Sequence, residues 1–172
     1  MGMTIPQHSI WRAGAVALAI SGIFPRLPVA AGPADTVSIS ATGRASGKPY
    51  EFHGYGECHY SADASIHDAP ATMWYASLMP RSSATSDPSH VNVTIWQPTK
   101  GGTPQVTLSV QLGPNVYALS TVAGGNVSGS ATARAEKRGS GGTLNVDGRT
   151  ASGQPITVSI SCSKFLAPED NG

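Results

Sequence analysis

The stretch PITVSISC, residues 155–162, places Ile156, Val158, Ile160 and Cys162 on one side of an extended chain and Thr157, Ser159 and Ser161 on the other. Successive strand side chains point to opposite faces, so this is the pattern of a strand with one dry and one wet side. The same short alternation, rich in β-branched residues, runs through most of the chain. It predicts strands over 36–42, 50–60, 72–78, 90–96, 105–112, 116–122, 127–135, 142–147 and 155–163. Turn-forming clusters separate them: DAP at 68–70, SDPS at 86–89, KGGTP at 100–104, LGPN at 112–115, AGG at 123–125 and RGSGG at 138–142. No stretch beyond residue 35 carries apolar residues at helical spacing over ten or more positions. The fold class that follows is all-β, an antiparallel β-sandwich or open barrel.

At 172 residues the chain provides one domain's worth of core. Its first part reads differently from the rest. One cation, Arg12, precedes the apolar run AGAVALAISGIF at 13–24, and VAAG at 29–32 supplies small residues suited to a signal peptidase. Twelve apolar residues are too few for a bilayer, which needs about 20. Residues 1–31 are therefore expected to be a cleaved export signal, with the cut after Ala30, Ala31 or Ala34; 32–166 a single β domain; and 167–172 a flexible tail. The mature chain then works in the periplasm or outside the cell, with no membrane span after cleavage. Charged residues make up only 12% of the chain and the net charge is +1, without the clustered Lys and Arg of a nucleic-acid binder.

Export gives the two cysteines a meaning. An even pair without a C-x-x-C motif, in an oxidising compartment, is most simply the disulfide Cys58–Cys162. Each cysteine follows a similar phrase, GRASGKP at 43–49 and GRTASGQP at 148–155. Each phrase reads as the turn of a β-hairpin whose outgoing strand carries an inward cysteine. A duplicated half-domain and convergent turn chemistry both account for the likeness. With Cys58 inward, Phe52, Gly54 and Gly56 share its face, and His53, Tyr55, Glu57 and His59 face outward. Glycines at 54 and 56 suggest a bulge or a large side chain lying across them.

The outward row His53, Glu57 and His59 is the one constellation of metal-ligand types. Alternate residues on a strand face are about 6.6 Å apart, so Glu57 and His59 could share an ion, while His53, about 13 Å from Glu57, needs a bulge to join; His67 could approach from the next loop. The opposing reading is a solvated polar strand face. No G-x-S-x-G elbow and no paired carboxylates of the glycosidase kind occur, which argues against an enzyme, and no cofactor is called for. The aromatics offer binding instead. Trp96 shares the polar parity of Asn92 and Thr94, while Trp74 and Tyr75 point to opposite faces, one to core and one to solvent. Trp96, Trp74 and Tyr75 are the candidate ligand-binding residues, for an unknown protein or glycan. Asn92 (NVT) and Asn126 (NVS) match the N-glycosylation pattern, which matters in a eukaryotic secretory pathway.

The strand before the early cysteine, GYGEC, and the closing run GNVSGSATARAEKRGSGGTLNVDGRTASGQPITVSISCS resemble the mycobacterial lipoprotein-antigen family (LpqH-like) over about 36–165. That resemblance implies an exported β-sandwich with one disulfide at the cell surface or envelope, without catalytic residues, acting in surface interactions and immune recognition. Members of that family are lipidated on a cysteine just after the signal. Here no cysteine precedes Cys58, which points to a soluble relative and puts a lipid-dependent role in doubt. The expected function is a non-enzymatic surface interaction module, with a metal-binding protein or metal-dependent enzyme, and a purely structural envelope protein, as alternatives.

Overall fold

The computed structural model describes residues 36–78 and 88–167, so the expected export signal at 1–31 and the expected tail beyond 167 lie outside the described residues. Nine strands form: β1 (Val37–Ala45), β2 (Lys48–Ile66), β3 (Ala69–Leu78), β4 (His90–Pro98), β5 (Gln105–Leu112), β6 (Asn115–Ser120), β7 (Gly129–Arg138), β8 (Gly141–Thr150) and β9 (Pro155–Cys162). They build one sheet in the order β6-β5-β4-β3-β2-β1-β9-β8-β7, curled into a nearly closed barrel. Of the two expected architectures it is the barrel that forms. The first and last strands lie side by side, with Ile39 opposite Cys162 and Ala45 opposite Ile156.

Every pairing in the sheet is antiparallel. Eight reversals across nine strands leave the two end strands, β6 and β7, running in the same direction. A tight turn cannot join parallel neighbours. Residues 121–128 make the connection, and among the described residues no backbone hydrogen bond joins β6 to β7. Side chains close the seam. Leu119 of β6 occupies the space that side chains at Gly129 and Gly148 would fill: a Cβ there would lie 2.8 and 2.6 Å from its atoms.

The inner face follows the alternation. Val91, Val93 and Ile95 of β4, Val106 and Val110 of β5, and Ile156 and Ile160 of β9 are fully buried inside the barrel. The glycines of β2 mark no bulge: Phe52 folds its ring over Gly54, and Gly56 lies flush against Ile39 and the Ser77 carbonyl. The bulge is farther on, between Ser61 and Ala64, and β2 continues past it to Ile66. There His67 and Asp68, both with positive φ (48° and 62°), form a two-residue turn that lets DAP enter β3 instead of ending a strand.

The two GR phrases do form hairpin turns, of unequal length. Ser46 and Gly47 alone link Ala45 to Lys48, whereas residues 150–154 separate Arg149 from Pro155. In the first hairpin Gly43 leaves room for Tyr50, whose buried hydroxyl reaches across β1 and donates to the Thr157 carbonyl of β9 at 2.7 Å. The disulfide Cys58–Cys162 is formed, with Cα atoms 6.3 Å apart. Beyond it the chain crosses the start of β1 and runs alongside β2. Leu166 donates to the Cys58 carbonyl (2.8 Å) and accepts from the Tyr60 N–H (3.3 Å), and Phe165 closes the barrel end against Trp74, ring centroids 5.4 Å apart.

Burial raises the Tyr50 hydroxyl pKa above its ordinary 10.0, so the folded state holds the proton more tightly than the unfolded chain. Its contribution is therefore complete at neutral pH and declines as the pH climbs beyond 10.0. Tyr50→Phe is expected to cost about 1 kcal/mol at pH 7 in urea unfolding, through the lost hydrogen bond. The gap between variant and parent should shrink at about pH 11, where the parent is losing that contribution.

Candidate functional site

The inward residues form one apolar core cluster, so the polar and amphipathic side chains that could meet a ligand lie on the outer face. Strand register converts the outward residues of β2, β3 and β4 into a grid. Glu57 lies opposite Ser77 and on to Asn92; His59 opposite Tyr75 and Thr94; Ser61 opposite Met73 and Trp96. His59, Tyr75, Met73 and Trp96 thus form one contiguous band, with Tyr75 and Trp96 diagonal neighbours at about 7–8 Å between backbones.

The band is ordered by specific contacts. His59 and Tyr75 approach with ring centroids 5.7 Å apart and tilted by 48°. The Tyr75 hydroxyl accepts from the Asn92 amide at 3.2 Å. On its other side the His59 ring lies 3.1 Å, through Nδ1, from the Ala167 carbonyl, so the first residue of the expected tail is tied to β2. Thr94 faces outward by parity and is nonetheless buried, since Tyr75 stands opposite it and Trp96 two residues along the same face. Trp96 and Tyr75 are half-buried, each leaving part of its ring to solvent.

Trp74 is elsewhere. It is the inward member of the Trp74–Tyr75 pair, 6% exposed, packed against Tyr60 at 4.5 Å between centroids and against Phe165. As a ligand platform it is corrected to a core residue: period-two alternation sends neighbours to opposite faces, and the wet side belongs to Tyr75. Its indole Nε1 has no hydrogen-bond partner among the described residues.

The metal candidates are only partly brought together. His59 Nε2 and Glu57 Oε2 are 4.0 Å apart, whereas His53 turns to the exposed Glu51, with 2.6 Å between Nε2 and Oε1. His67 sits in the β2–β3 turn, roughly 25 Å along the strand from His59. Among the described residues no group of three His, Cys, Asp or Glu side chains could hold a metal ion. The straight backbone between 53 and 59 explains this, because the only bulge of β2 lies beyond His59.

Two further surfaces had no motif to announce them. A polar groove of about 490 Å³ runs across β7, β8, β9 and β1, lined by Thr42, Thr132, Arg134, Asn145, Asp147 and Ser159. A second cleft, about 450 Å³, opens between the outer face of β4–β6 and residues 125–127 of the crossover, with His90 and Asn92 at its wall. The first joins β1 to β7–β9, strands distant in sequence, and the second depends on how the crossover folds back over β4–β6, so neither leaves a local trace. No protein-family model, curated protein or solved structure matches this chain.

Acrylamide quenching of tryptophan emission, with Trp11 replaced, should resolve one accessible and one protected component. Trp96→Phe is expected to remove the accessible one and leave the protected Trp74 emission. Equal quenching of both tryptophans would contradict the placement.

Proposed function

We propose that this protein is an exported, non-enzymatic binding module of the cell envelope or extracellular space, whose working surface is the outer band Trp96, Tyr75, Met73 and His59. One observation carries the reading. Large amphipathic side chains gather side by side on the outer face of strands whose inner residues form the apolar core, whereas the exposed large apolar residues Tyr55, Val116 and Val127 lie outside this band. Half-exposed Trp and Tyr rings, braced by neighbours, present apolar faces with polar tips, which suits stacking on a sugar ring or covering a partner's apolar patch. The export part rests on the apolar N-terminal run and on a disulfide that an oxidising compartment would preserve. The resemblance to the mycobacterial lipoprotein antigens favours the same class of role.

The test begins with intact mass of the protein recovered from its native host. The expected species begins near Gly32, carries no lipid and is two hydrogens lighter than the reduced chain. A full-length chain with free thiols would overturn the export reading. Screening that species against glycans and envelope proteins should then yield a ligand whose affinity falls about tenfold or more on Trp96→Ala, the loss usual for a central aromatic. Binding unaffected by both Trp96→Ala and Tyr75→Ala would remove this band as the working surface.

A further inference from the structure

Among the described residues the edge of β7 away from β8 pairs with no strand. Leu119, second from the end of β6, packs on Gly129, the first residue of β7, so most of β7 extends past the end of β6. Among the described residues, β7 makes backbone hydrogen bonds only within its pairing with β8. The inward Ala131, Ala133 and Ala135 are half-buried, while Val146 and Leu144, opposite Ala133 and Ala135, are buried. A strand ten residues long with a free edge is a template for another strand.

The charges along that edge select the partner. The outward residues are Ser130, Thr132, Arg134, Glu136 and Arg138, with Arg138 held to Glu136 at 3.1 Å. Charged edges repel most strands. A second copy of this strand is different, because its sequence complements itself when reversed. We infer that β7 is a homodimer interface, pairing antiparallel with β7 of a second copy about a two-fold axis at Ala135, with Arg134 of each copy opposite Glu136 of the other.

Other registers are poorer. Keeping outer face with outer face requires steps of two in the sum of paired positions. An axis at Arg134 sets Arg134 against itself. An axis at Glu136 sets glutamate against glutamate and Arg134 against Arg138. An axis at Lys137 again pairs Glu136 with Arg138 but overlaps only the last few residues of the strand. The axis at Ala135 alone combines two opposite-charge pairs with overlap over residues 132–138 of the ten-residue strand, and it places alanine against alanine at the centre. β6, the other edge, has six residues, NVYALS, and no charge with which to choose a partner.

The test is sedimentation equilibrium of the disulfide-bonded mature chain from about 1 µM to about 1 mM, the range of weak to moderate self-association. A monomer–dimer equilibrium that weakens with salt is expected. Glu136→Arg and Arg134→Glu should each weaken it by about tenfold or more, since each replaces both attractive pairs with like charges. The double swap, Arg134→Glu with Glu136→Arg, should restore it. Both side chains are solvent-exposed in the monomer, and circular dichroism checks that each variant is folded; hydrogen exchange should show β7 amides protected in the dimer. A monomer throughout the range, a dimer indifferent to single reversals, or a double swap that stays monomeric would overturn the proposal.

Discussion

Nine strands paired antiparallel at every step cannot close into a ring that is antiparallel throughout, and much of this molecule follows from that parity. The mismatch falls between β6 and β7. There the chain uses a crossover over residues 121–128, and side-chain packing where the other neighbouring strands of the sheet have a hydrogen-bond ladder. The crossover folds outward and becomes one wall of a cleft. Glycines at 129 and 148 let Leu119 close the seam from one side. The edge of β7 that no described residue pairs with belongs to the same mismatch.

The opposite side of the barrel is where the chain ends meet, and it is fastened several times over. β1 and β9 share a ladder, the Tyr50 hydroxyl bonds from β2 across β1 to β9, and the disulfide joins β2 to β9 around the start of β1. A crosslink spanning 104 residues stabilises by about 4–5 kcal/mol in the chain-entropy view, because it removes so much freedom from the unfolded chain. Past Cys162 the terminal segment takes up the β2 edge that β1 leaves free, and Phe165 seals the barrel end among Tyr60, Trp74 and Gly142. Long-range closure is concentrated here, leaving the seam at β6 and β7 to weaker packing.

The local pattern carried a good deal of this. All nine strands are readable from alternation and turn chemistry, Gln105–Leu112 to the residue; a lone even pair of cysteines gives the disulfide, the parity of Cys58 puts His53, Glu57 and His59 outward, and the parity of Asn92 and Thr94 does the same for Trp96. What was misjudged depended on neighbours. Pro70 looked like a strand breaker and lies within β3, because the positive-φ turn at His67 and Asp68 comes just before it. Trp74 was offered for binding and is core. Ala167 was assigned to the tail, and its carbonyl lies beside His59. The separation of His53 from Glu57, by contrast, is legible in the spacing alone; the partner it takes instead is Glu51, two residues back on its own face.

By itself, then, the sequence determined the strands, which side of each strand is dry, and which cysteines can meet, because period-two alternation and turn propensity act over a few residues and leave a legible trace. Only the tertiary structure decided that the sheet curls into a barrel, that β1 pairs with β9, and that the gap falls between β6 and β7. It also decided that His59, Tyr75, Met73 and Trp96 become neighbours. Those outcomes depend on register between strands far apart in the chain, and register is set by which apolar sets interdigitate once the sheet has closed on itself.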